Sequence, residues 1–93
     1  MIRSLSEEEI KSHILYKLAR KRRWGAKHTE LKHVCSSLPK EYVKTAEKLA
    51  KELANVGLLT WLKKTGEIHI SLNSHKKSEI MHLIEKYNEK QLR

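Results

Sequence analysis

Lys44, Lys48 and Lys51 recur at intervals of four and three residues, and Asn55 continues the series. On a helix turning about 100° per residue, these four side chains fall within roughly 40° of one line. Lys40 joins the line at its start, and Thr45 stands beside it as a polar contact. A row of ammonium groups can do one kind of chemistry, the neutralisation of a row of phosphates. Lysine does this as a flexible point charge, whereas base edges are mostly read by Arg, Asn or Gln. The segment 39–57 has no Arg and no Gln, and its one amide, Asn55, lies at the far end. The pattern therefore points to affinity for a polyanion backbone more than to base reading. Lys63 and Lys64, just before Thr65-Gly66, offer the same chemistry. So do Arg22, Arg23 and Lys27, at the end of the densest basic run, which also holds Lys17, Arg20 and Lys21. Each group also has an account that needs no ligand. Glu41, Glu47 and Glu52 flank the lysine row, as on an ordinary solvated face. Lysines at a sheet end discourage pairing between molecules. Cations in a last helical turn complement the helix dipole.

Other chemistries lack their parts. His28, His33 and Cys35 are close in sequence, but His33 and Cys35 stand two apart and point away from each other on a helix. No CxxC or HxxxH pair exists, so no metal site and no cofactor is expected, and Cys35 reads as a small core residue. All eleven acids are Glu, and no Gly-rich phosphate loop is present. His13, His69, His75 and His82 are scattered singly. Catalysis is not expected.

The charge fits a polyanion partner. Across 93 residues, 20 Lys and Arg face 11 Glu, a net +9. The excess is central: residues 10–64 carry fourteen Lys and Arg against four Glu, which is +10. Such a field favours nucleic acid first and anionic membrane second. No apolar run approaches a transmembrane length. The segment Met1–Glu7 has no signal-peptide core, and one cysteine suits a reducing compartment, so a cytoplasmic location is expected.

The elements that must position these residues can be read from spacing. Ser6 with Glu9 forms a capping box, with Leu5 and Ile10 at the staple positions. Ile10, Ile14, Leu15 and Leu18 then make a core stripe, predicting a first helix over about 7–23 that Gly25 ends. Thr29 can cap a short second helix with Leu31, Val34 and Cys35 inward, and residues 24–28 can be extended. Pro39 opens a third helix with Tyr42, Ala46, Leu49, Ala50 and Leu53 on its apolar face, stopped by Gly57. The period then becomes two: Leu58–Lys63 and Glu67–Leu72 flank a Gly-containing turn and read as a hairpin. Either Trp61 or Leu62 faces inward, depending on a one-residue register. Asn73 or Ser74 caps a fourth helix over about 75–91 with Ile80, Leu83, Ile84 and Tyr87 on one stripe.

Three helices, a hairpin and the segment Leu53-Ala54-Asn55-Val56-Gly57-Leu58-Leu59 between them resemble the winged-helix variant of the helix-turn-helix superfamily, over about residues 7–72. Arg22–Thr29, Leu38-Pro39 and Ser71-Leu72-Asn73 also look like a group of short archaeal winged-helix proteins without assigned activity. The resemblance implies an α+β, mostly helical winged-helix domain over residues 1–73, with residues 74–93 as an added C-terminal helix. It implies double-stranded DNA as partner, with the third helix in the major groove and the wing beside it, in a transcriptional regulator or an architectural protein. RNA shares the electrostatics. A protein-interaction module of a larger complex is the alternative from another class. The stripe Ile80, Leu83, Ile84, Tyr87 either packs on the first helix or pairs with a second copy, and the expectation is a homodimer, since the winged-helix core is complete at Leu72. No membrane partner is expected.

Overall fold

The computed structural model describes the backbone of residues 5–91 and the side chains of residues 5–86. Helix α1 spans Glu7–Arg20. Its capping box is formed: Ser6 Oγ accepts from the Glu9 N–H, and Glu9 Oε1 accepts from the Ser6 N–H, both at 3.1 Å. Ile10, Ile14, Leu15 and Leu18 are buried on one side. The helix ends earlier than Gly25 suggests. Arg22 takes a left-handed backbone, φ 57°. The Arg23 N–H reaches back to the Leu18 carbonyl at 2.9 Å and the Arg22 N–H to that of Ala19 at 3.0 Å. These are the two bonds of a Schellman stop, built without glycine.

The chain then runs along a sheet. Leu72 N–H donates to the Arg23 carbonyl at 2.8 Å, and Gly25 N–H donates to that of Leu72 at 3.0 Å. Strand β1, Thr29–Glu30, follows. Thr29 is thus a strand residue and not a cap, and α2, Leu31–Cys35, starts from Glu30 without a side-chain capping bond. Leu31, Val34 and Cys35 are buried as the spacing predicts. Pro39 opens a 3-10 turn, Lys40–Tyr42, and helix α3 proper spans Val43–Asn55. Ala46, Leu49, Ala50 and Leu53 are its buried side. At its end, Leu58 N–H donates to the Leu53 carbonyl at 2.9 Å and Gly57 N–H to that of Ala54 at 3.1 Å, with Gly57 at φ 87°. The Leu53-to-Leu59 motif is therefore a second Schellman stop. Leu53 and Leu58 are its apolar pair, and the next residue enters a strand.

Strands β2, Leu59–Lys64, and β3, Glu67–Leu72, form the hairpin. With β1 they make a three-stranded antiparallel sheet in the order β1-β3-β2. Trp61 pairs with Ile70 and Leu59 with Leu72, so the inner face holds Trp61. Leu62 lies opposite His69 on the other face and is 43% exposed.

Asn73 accepts from the His75 N–H at 3.0 Å and caps a 3-10 turn, Ser74–Lys76. Helix α4, Lys77–Gln91, packs against α1. Ile80 and Ile84 are buried in the same core as Ile10 and Ile14, with Leu83 packed against it. Of the two arrangements the stripe allows, packing on the first helix is the one seen within the chain. The face of α1 left open by α2 and α3 is covered by α4 of the same chain, so Ile80 and Ile84 are not available to a second copy. Tyr87, also assigned to that stripe, lies outside the residues whose side chains are described. One core includes residues on both sides of position 73. Among the described residues no helix is long and apolar enough to cross a membrane.

Candidate nucleic-acid interface

The buried side of α3 fixes which side is left to solvent. With Ala46, Leu49, Ala50 and Leu53 inward, Lys44, Lys48, Lys51 and Asn55 are all exposed, in the line their spacing predicts. Thr45 is half-buried on its flank. Lys40 is exposed too, but it sits in the 3-10 turn. That turn winds at about 120° per residue, so Lys40 is displaced from the line of the other three.

One acid beside this row is engaged elsewhere. Glu52 is bridged to Lys11 of α1 at 3.6 Å. Among the described residues, Lys44, Lys48 and Lys51 take part in no salt bridge. Glu47 is half-buried, and its charge joins burial in raising the Cys35 thiol to about 11, burial being the larger cause. Cys35 is thus an inert core thiol and contributes no nucleophile.

The structure separates residues that adjacency had grouped. Lys63 pairs with Ile68 and Lys64 with Glu67. Successive strand side chains point to opposite faces. Lys63 therefore shares the helix-side face with Trp61, and Lys64 shares the outer face with Leu62 and His69. The two tip lysines cannot both rest on one flat partner surface. Arg22 and Lys27 are exposed, whereas Arg23 is half-buried, with its Nε buried and without a hydrogen-bond partner.

The outer sheet face carries a polar chain that sequence reading missed. His28 Nδ1 lies 2.9 Å from His69 Nδ1, and the rings meet edge to face with centroids 4.8 Å apart. His69 Nε2 lies 2.9 Å from Glu67 Oε1. Strand alternation could have placed Glu67 and His69 together, but His28 comes from a segment whose pairing only the fold reveals. Burial, and then the charges of Lys64, His69 and Arg23, hold the His28 ring below its usual pKa. The hydrogen bond from His69 holds the Glu67 carboxyl below the usual range, assisted by the charges of His69, Lys32 and His33, while desolvation opposes. Only two nitrogens converge here, and among the described residues no three His, Cys, Asp or Glu side chains are arranged to hold a metal ion.

No family model, no curated protein and no solved structure matches this chain.

Proposed function

We propose that this chain is a nucleic-acid-binding protein of winged-helix type that docks α3 on duplex DNA by neutralising phosphates. A single observation carries the reading: Lys44, Lys48 and Lys51 stand exposed in one row, without an acidic partner, on a helix whose opposite side is locked in the core. The order of three helices and a hairpin, with a glycine stop leading from α3 into β2, supports it. Lys63, on the helix-side face of the hairpin, is the tip lysine that belongs with the row. Lys40, Thr45, Arg22 and Lys27 are flanking contacts.

Lysine-rich contact without a bidentate Arg on α3 suits a protein that grips many sequences alike. An architectural role follows from this more directly than operator recognition does. B-form duplex is the favoured partner, since its major groove admits a helix and that of A-form RNA is too narrow and deep. Titration of labelled random-sequence duplex DNA, single-stranded DNA and duplex RNA at several salt concentrations tests the reading. Duplex DNA should bind tightest, with affinity falling steeply as salt rises. Salt-independent or absent binding to all three would give the chain to the alternative class, a protein-interaction module.

A further inference from the structure

We propose that His28, His69 and Glu67 form a proton-operated latch that ties β1 to β3 near neutral pH and releases it in acid. This latch does not depend on what α3 binds. Strand β1 is small: Thr29 pairs with Ile70 and Glu30 with His69. So short an edge strand has few ladder bonds to hold it closed. His28, the residue before it, adds a tie from outside the ladder. Its Nδ1 lies 2.9 Å from His69 Nδ1, with the two rings edge to face.

The geometry sets the protons. Glu67 Oε1 lies 2.9 Å from His69 Nε2, and an ionised carboxylate can only accept. His69 therefore donates from Nε2. While its ring is neutral, its Nδ1 is a bare acceptor, and His28 must donate from its own Nδ1. One further proton leaves this bond intact. It can occupy His28 Nε2, or His69 Nδ1 with His28 accepting. A second cannot be held, because two N–H groups on two cationic rings would then face each other across 2.9 Å. The closed pair thus carries at most one added proton, whereas the separated rings carry two.

The surroundings push the same way. On this face Glu30 of β1 stands opposite His69, and Lys64 of β2 stands opposite Glu67. Leu62, opposite His69 on β2, carries no charge. Glu30 lies 3.8 Å from His33 of α2. Burial is the largest cause that keeps His28 below the ordinary histidine value, and Lys64, His69 and Arg23 of the α1–β1 connection add to it. Lys32 and His33 of α2 act on Glu67 and favour its ionised form. Opening therefore takes up a proton in acid and becomes more favourable by up to about tenfold per pH unit.

Nuclear magnetic resonance of the full chain tests this. Near neutral pH, proton–nitrogen correlation of the imidazoles should show His69 protonated at Nε2 and His28 at Nδ1. Amide exchange, corrected for its intrinsic pH dependence, should show the β1–β3 amides opening at least about tenfold more readily at about pH 5 than at about pH 7.5. The amides of Ile14 and Leu18 in α1 should stay far more protected at both values, which marks the opening as local. His28→Ala should raise opening about tenfold near neutral pH and lose the acid response. His28→Asn puts an amide at the Nδ1 position, able to donate to a neutral His69 or accept from a charged one, and should keep β1 closed at both values. Thermal unfolding checks that each variant is folded. Opening that does not respond to pH, a response that persists in His28→Ala, His28→Asn as open as His28→Ala, or β1–β3 exchange only together with α1 would each overturn the proposal. So would a response abolished by a chelator, which would give the two nitrogens to a metal ion.

Discussion

Ser6 and Arg22 mark the two ends of α1 and illustrate opposite kinds of local determinism. Ser6 satisfies the free Glu9 N–H at the helix start. Ser6→Ala should lower stability by about 1 kcal/mol, read by denaturant unfolding. An unchanged midpoint would mean that the capping bond contributes nothing net. Arg22 holds a left-handed backbone that disfavours any Cβ. Arg22→Gly should relieve that strain and raise stability by about 0.5–1 kcal/mol, after the larger unfolded-state entropy of glycine is subtracted. The same substitution should weaken duplex binding if the side chain contacts phosphate. A stabilised variant with reduced affinity would show a residue kept for its charge at a conformational cost. The first end was legible because Ser, Glu, Leu5 and Ile10 all sit at diagnostic spacings. The second was not, because nothing in the identity of an arginine announces a positive φ, while Gly25, three residues on, offers a false stop.

At the scale of elements, long periodic segments were readable and short or shared ones were not. The α3 stripe and the Leu53–Gly57–Leu58 stop follow from side-chain spacing alone. Strand β1 has two residues and exists only because β3 lies beside it. The choice between Trp61 and Leu62 was open because both are apolar, and pairing with Ile70 decides it. Helix α4 was ambiguous for a related reason. Its stripe shows that something covers it, but not whether the cover is α1 or a second chain. With Ile80 fully buried and Ile84 nearly so, truncation after Asn73 should leave a chain with no cooperative unfolding transition. Ile80→Ala in the full chain should cost about 3 kcal/mol. Circular dichroism with denaturant measures both, and a truncated chain that unfolds cooperatively would contradict the shared core.

At the scale of the whole molecule, charge and protonation set the behaviour. His13 is held below the ordinary histidine value of about 6.5 by burial and by Lys17, and His28 by burial, Lys64, His69 and Arg23. Below pH 6.5 the unfolded chain therefore takes up protons that the folded chain refuses. Stability should be greatest above that pH and fall as acid is added, down toward the lowered folded values. Thermal midpoints should decline on acidification below that value, and His13→Gln and His28→Gln should each flatten the decline. A midpoint that rises over the same range would contradict the assigned environments. The central claim, that the α3 lysine row faces DNA phosphates, is tested most directly by the salt dependence of duplex affinity in single lysine variants. If Lys44, Lys48, Lys51 and Lys63 each touch one phosphate, about four contacts predict a log–log slope near −3.6. Lys44→Ala and Lys48→Ala should each make it shallower by about 0.9, on every duplex sequence alike. Lys11 is a poor control because it neutralises Glu52 beside the row. Lys86, exposed on α4, is a better one, and Lys86→Ala should leave the slope unchanged. If Lys44→Ala and Lys48→Ala instead match Lys86→Ala, the row is only a solvated face and α3 does not face DNA.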